Sequence, residues 1–404
     1  MRVERTRCCV VGGGPAGMMA GLLLARQGCE VIVLEKHADF LRDFRGDTVH
    51  PSTLELIAEL GWIEEFLQLP HAKMREVTVS IGGRQITFAD FRRLPARCPY
   101  IAFMPQWDFL DFLANKAAGY AGFRLMRDAR MTELIAEGGR TVGVRATTTQ
   151  GPLEVRADLV IAADGRHSTA REQAGLEPAR SAPPMDVLWF RLPRRQGDQV
   201  PFFQNGRGGV LISIDRGDYF QHAYAIPVGD YPKLREAGLP AFHERIGAAA
   251  PALADRVTLI DDWEKVHDLT VRVDRLSRWH RPGLLFIGDA AHAMAPAGGV
   301  GINLAVQDAV ATANLLAPVL RRGGEVSENE LAKVQARREW PAKVTQAFQV
   351  RVLRGLYPKD LIDDTADHAP LVFDAFRALP PLRHAMGRFI GLGARPEHIT
   401  QPLA

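Results

Sequence analysis

The chain has 404 residues, 47% apolar and 24% charged, with 50 Lys and Arg against 47 Asp and Glu for a net charge of +3. That balance excludes a dedicated nucleic-acid binder or an acidic disordered tail, and the length suggests two or three domains of about 150 residues. The cysteines (Cys8, Cys9, Cys29, Cys98) form neither a disulfide framework nor a metal-ligand spacing, and no apolar run reaches the ~18 residues of a membrane helix. The expectation is therefore a cytoplasmic enzyme with no metal, no nucleic-acid partner and no integral membrane segment, either a monomer or a homodimer.

Cys8 to Val11 reads as a buried parallel strand, GGGPAG follows at once, and MMAGLLLARQG suits a buried helix. VIVLE, Val31 to Glu35, is a second buried strand. Gly12, Gly14 and Gly17 have the dinucleotide-binding spacing: one for the tight turn, one for approach of a pyrophosphate, one for close helix–strand packing. Pro15 and Ala16 lie at the helix start, where free N–H groups and a partial positive charge attract phosphate. Glu35, followed by Lys36, closes the second strand 18 residues after Gly17. A carboxylate there accepts ribose hydroxyls and repels a 2′-phosphate, which selects FAD or NAD over NADP.

VTVSIGGRQITFADF, within 73–99, is a hairpin pattern with Gly82-Gly83 at its turn. DLVIAADGRHSTAR, Asp158 to Arg171, reads as a buried strand ending at Asp164-Gly165, then a helix start capped near Ser168. Between 179 and 275 the runs VLWFRLP, GGVLISI, YFQHAYAIP and VTLI have a period of two, and LTVRVDRL, Leu269 to Leu276, reads the same way. They predict a second, mostly antiparallel sheet, with a helix over Leu239 to Leu253 packed on it. GLLFIGDAAHAMAPAGGVGINLAVQDAV, Gly283 to Val310, is a strand, the Gly288-Asp289 turn, a Pro/Gly loop and an Ala-rich helix. Asp289 at a strand's carboxyl end suits a ribityl or ribose hydroxyl. The loop from Pro296 to Gly301, with Gly298 within it, feeds a helix N-terminus at about Ile302 and Asn303, suited to the anionic end of a reduced flavin. The tail after Glu325 is helical to about Tyr357.

GGGPAG with Glu35, the Asp164-Gly165 segment and the Gly288-Asp289 segment, in this order and spacing, resemble the single-component flavin-dependent aromatic hydroxylases, the para-hydroxybenzoate hydroxylase-like group. The resemblance covers about residues 5 to 345. RGDTVHPSTLELIAELG, Arg45 to Gly61, resembles that family's arginine-plus-helix segment, and PQWDFLDFL, Pro105 to Leu113, its glutamine- or arginine-led helix. It implies FAD as cofactor and NADH or NADPH as co-substrate. By it, Arg45 and Gln106 contact the FAD phosphates or ribityl chain, and Asp289, Pro296, Gly298, Gly301 and Asn303 are flavin contacts. Asp164 lies in a segment that serves both FAD and NAD(P)H in the family.

The implied architecture is α/β, with a Rossmann-like FAD-binding domain (GR2-type) interrupted by a mostly antiparallel β-sheet substrate domain and followed by a helical C-terminal tail. Its pieces are 1–72, 100–178 and 276–330 for flavin, 73–99 and 179–275 for the sheet, and 331–404 for the tail. The implied reaction is hydroxylation of an electron-rich aromatic or heteroaromatic substrate with NAD(P)H and O2 through a flavin C4a-hydroperoxide. A flavin oxidoreductase without oxygen insertion, of the prenyl-chain reductase or desaturase type, and a non-catalytic flavin-binding protein share the same motifs. No hydrolase elbow, HExxH, second glycine fingerprint or redox cysteine pair accompanies them. Trp189, Phe203, Ile212 and Gln221 are candidate pocket positions, with His222 or Tyr224 as candidate bases for a phenol.

Overall fold

Because Cys8 to Val11 and Val31 to Leu34 are buried on both faces, they require cover on both sides, and the fold supplies it. In this computed structural model, which describes residues 1–41, 48–81, 84–181, 185–198, 200–206, 208–356 and 371–400, the strand Arg2–Val11 is central. It pairs in parallel with Val31–Leu34 on one side and Gly151–Ala162 on the other. Phe123–Met126 and Leu284–Phe286 extend this sheet in parallel at either end. An antiparallel meander, Arg130–Glu137 and Arg140–Thr148, continues from Gly151–Ala162. Alternate side chains divide between two cores. Cys8 and Val10 pack toward the helices, and Cys9 and Val11 toward Val144, Ala146 and Trp279, so the vicinal cysteines point apart.

The helices among the described residues are α1 (Pro15–Arg26), α2 (Pro51–Glu59), α3 (Ile63–Phe66), α4 (Gln106–Ala117), α5 (Thr169–Gln173), α6 (Tyr231–Ala249), α7 (Gly301–Arg322), α8 (Glu328–Leu356), α9 (Leu371–Ala378) and α10 (Pro380–Leu392). The stretch Ala297–Arg322 is long and apolar enough to cross a bilayer, but most of it is buried in the protein, where α7 lies against α1, α2 and α8.

The predicted second sheet is present, with seven strands in the order His267–Leu269, Met185–Pro193, Tyr219–Pro227, Gly209–Asp215, Phe203–Gly206, Glu76–Ile81, Arg84–Asp90. All pairs are antiparallel except Phe203–Gly206 with Glu76–Ile81. The hairpin turn Gly82-Gly83 lies outside the described residues. Three expectations need correction. VTLI is a 3-10 turn, Val257–Leu259, in which Val257 and the following Ile260 pack under α6 instead of pairing, while Leu259 is exposed. Val273–Arg275 leaves the seven-stranded sheet to join Ala179–Ser181 and His292–Ala293. Finally, α6 starts at Tyr231, ahead of the expected Leu239, and is broken where Gly238 takes φ 85° before Pro240.

Two histidines are buried without charge. Burial pulls His50 down to about 4, and burial with nearby Arg256 pulls His222 down to about 3. An unfolded imidazole titrates near pH 6.5, so below that pH the unfolded chain binds protons that the fold refuses. Stability is then complete above about pH 6.5 and falls toward about pH 4 by roughly 1.4 kcal/mol per pH unit for each histidine. Urea unfolding at pH 7.5, 6 and 5 measures this slope, and a flat profile contradicts it.

Candidate functional site

The glycine turn is built by close approach. Gly12 has φ 107°, and a Cβ there would lie 2.4 Å from the Ala163 carbonyl oxygen. A Cβ on Gly17 would lie 1.9 Å from the Gly12 carbonyl oxygen. A Cβ on Gly14, the residue that caps α1, would meet no protein atom within 4 Å. Two glycines are thus packed shut and the third faces open space at the start of α1, a cradle shaped for a diphosphate. Pro15 and Ala16 form the first turn of α1. The buried Glu35 carboxylate accepts from Gly13 N–H at 2.9 Å and from His37 N–H at 3.1 Å, which puts it at the lip of the turn, with Lys36 exposed beside it.

The later motifs return to this turn. Asp164 follows the strand that contacts Gly12, and its Oδ2 accepts from the Ala170 N–H of α5 at 3.1 Å. Its Oδ1 is buried with no hydrogen-bond partner among the described residues, and burial raises the Asp164 pKa. Gly288, with φ 59°, is wedged so that a Cβ would lie 3.0 Å from Ala16 and 3.3 Å from Ala305, joining α1 and α7. Asp289 is half-buried and accepts from Arg166 at 3.4 Å. Gln106 is the half-buried first residue of α4. Arg45 lies outside the described residues.

The loop before α7 is held by side chains from distant segments. Gly298 and Gly299 have φ of 77° and 63°, and Gly301 opens α7 with Ile302 half-buried behind it. The Asn303 Oδ1 accepts from His50 N–H at 3.0 Å and from Thr53 Oγ1–H at 2.7 Å, while Thr48 Oγ1–H donates to the Gly299 carbonyl at 2.9 Å. His50 Nδ1–H donates to the Ile390 carbonyl of α10 at 2.8 Å. From α8, buried Gln349 accepts from Ala295 N–H at 3.2 Å and donates to the carbonyls of Ala295 and Ala297, both at 2.8 Å. Gln346, one turn earlier, donates to the carbonyls of Ala293 and Asp274. The two glutamines bind this backbone as a neighbouring strand would. Gln349→Leu is expected to cost about 2–4 kcal/mol for the hydrogen bonds lost. Amide hydrogen exchange should then quicken from Ala295 to Gly299, and unchanged protection there would contradict the assignment.

Beneath the Gly288-Asp289 turn lies a charge cluster that carried no signal in the sequence. Asp308 of α7 accepts from Gly288 N–H at 3.1 Å, His292 Nε2–H at 2.6 Å and Arg338 Nε–H at 3.0 Å. Arg338 also donates to Glu397 and to the Arg395 carbonyl. Asp308 and Arg338 are fully buried. Burial alone would raise the Asp308 carboxyl, but His292 and Arg338 together hold it below the ordinary value.

The second sheet turns one face to this loop. Trp189, Ala223, Ile212 and Phe203 pair across four strands into one row, and they pack with Ala295, Ala297, Val300 and Met386. His222 and Tyr224 stand on the opposite face, under α6, so as candidate bases they do not reach the loop-facing side of the sheet. His222 is fully buried beside Ser213 Oγ at 3.0 Å, and Tyr224 donates to the Gly208 carbonyl at 2.5 Å. Residues 221 and 222 of one strand cannot share a face, and in Tyr219–Pro227 the register puts the odd-numbered residues on the loop-facing side.

A family model described as an FAD binding domain matches residues 5–347. The chain is 35% identical over 351 residues to a 6-methylpretetramide 4-monooxygenase of Streptomyces rimosus, across 86% of this chain and 83% of that protein. It is 30% identical over 364 residues to violacein synthase of Chromobacterium violaceum, across 82% of each. Among solved structures, a p-nitrophenol 4-monooxygenase of Pseudomonas putida superposes with a TM-score of 0.77 at 19% identity, covering 98% of this chain and all of that one, and shares the fold.

Proposed function

This chain belongs to the FAD binding domain family and is a flavoprotein monooxygenase, and from that premise we propose that it hydroxylates an electron-rich aromatic or heteroaromatic ring held between the loop before α7 and the second sheet. The observation that carries this reading is the apolar row Trp189, Ala223, Ile212 and Phe203 facing that loop. The relatives' names describe monooxygenation of organic ring compounds, which agrees with such a chamber.

When bound, FAD supplies the passage of two electrons from NAD(P)H to O2 and the delivery of one oxygen atom to the ring. The rest falls to the protein. Gly12, Gly14, Gly17 and the N–H groups of α1 hold the diphosphate, and Glu35 takes the adenosine ribose. Asp289 and Gln106 would hold the chain between phosphate and ring. The N-terminus of α7 from Gly301 to Asn303 would offer N–H groups and a dipole to negative charge on the reduced ring. The apolar row excludes water, which would otherwise divert the oxygen to H2O2.

The test incubates holoenzyme with NAD(P)H and a panel of phenols and N-heteroaromatics under 18O2, with H2O2 measured in parallel. One labelled oxygen atom in the product is the expected result. A product that differs only by two hydrogens would move the chain to the oxidoreductases without oxygen insertion. Bound FAD without substrate-stimulated NAD(P)H oxidation would leave a binding protein.

A further inference from the structure

Gln221 stands on the loop-facing side of the second sheet, paired with Arg191 and Ile214 and one row from Trp189, Ala223 and Ile212. It is 4% exposed. Its Oε1 accepts two hydrogen bonds from Arg216, from Nε at 3.2 Å and from the guanidinium terminus at 3.0 Å. A guanidinium only donates, so the amide oxygen must face Arg216 and the NH2 group must face the other way. Among the described residues that NH2 group is buried with no hydrogen-bond partner. A buried unmade donor costs stability, and such groups are rare in native folds unless something outside the chain completes them.

We propose that Gln221 is a substrate-binding residue whose Nε2–H donates to an oxygen on the aromatic ring, a phenol or a carbonyl. This rests on the monooxygenase reading and narrows its substrate class to rings that carry an acceptor oxygen. Arg216 fixes the amide's orientation, and the apolar row beside it takes the ring. A ring with a methyl group in place of the oxygen leaves the donor unmade and is rejected.

The experiment compares isosteric pairs, 1-naphthol with 1-methylnaphthalene and 4-nitrophenol with 4-nitrotoluene. Their binding to the holoenzyme is followed by flavin absorbance and tryptophan fluorescence. The wild type is expected to bind each hydroxyl member about tenfold or more tightly than its methyl partner. In Gln221→Leu, which deletes the donor and offers no acceptor in its place, that preference should shrink to about twofold or less. Equal binding of both members by the wild type overturns the proposal. So does a preference that survives in Gln221→Leu, or no binding of any of the four. Labelled oxygen in a product with selectivity unchanged by this variant would sink Gln221 and leave the monooxygenase reading intact.

Discussion

Gly17→Ala is expected to purify with little or no yellow cofactor and to bind added FAD about 10- to 100-fold more weakly than the wild type. The added methyl would sit 1.9 Å from the Gly12 carbonyl oxygen. Gly12 cannot yield, because it is itself pressed against Ala163 with φ 107°. The turn must open, and the N–H groups of α1 lose their common target. Gly14→Ala separates cofactor from fold. Its methyl meets no protein atom within 4 Å and its φ of −74° suits alanine. The ligand-free Tm should therefore hold while FAD affinity drops. Titration of deflavinated protein with FAD, alongside thermal unfolding, reads both variants. Undiminished affinity in Gly14→Ala would show that the open space is not where the diphosphate lies.

The second large effect is on stability. Asp308→Ala should cost about 3–5 kcal/mol, the usual loss when one partner of a buried ion pair is removed. Arg338 would be left fully buried with only Glu397 as a carboxylate partner, and His292 and Gly288 N–H would each lose an acceptor. Asp308→Asn keeps the volume and one acceptor oxygen, so it should fall between alanine and the wild type. Urea unfolding at pH 7.5 measures both, and a loss below about 1 kcal/mol for alanine would contradict the cluster's structural weight. Asp308 is held below its ordinary pKa, so its contribution is present above about pH 4 and fades only as pH drops through the lower folded value.

The sequence was most legible where backbone geometry leaves no choice of residue. Gly12, Gly17 and Gly288 are forced by contacts under 3.1 Å to a hypothetical Cβ, and glycine spacing is visible in a string of letters. The buried strands were legible for a related reason, since cover on both faces demands unbroken apolar runs. Sheet phase was harder. His222 and Gln221 are neighbours, and an error of one residue exchanges pocket for back face. VTLI shows that a short apolar run does not distinguish a strand from a packed turn. Gln346, Gln349 and Arg338 left no trace, because a polar residue on a long helix looks solvated until its tertiary partner is known. Asn303 also gives its side-chain oxygen to His50 and Thr53, a role in shaping the loop that the sequence did not show.

The grip of Gln346, Gln349 and Ile390 on segments read much earlier has a consequence for synthesis. The phosphate turn closes with strands that end by Ala162, so it can form while more than half the chain is still to be translated. The loop before α7 cannot reach its final shape until the chain beyond Gln349 has left the ribosome. Nascent protein should therefore pass through a stage that grasps the adenosine half of the cofactor but has no finished seat for the ring. Ribosome-bound chains stalled after residue 330 should retain ADP-agarose affinity yet fail to shift the visible spectrum of added FAD.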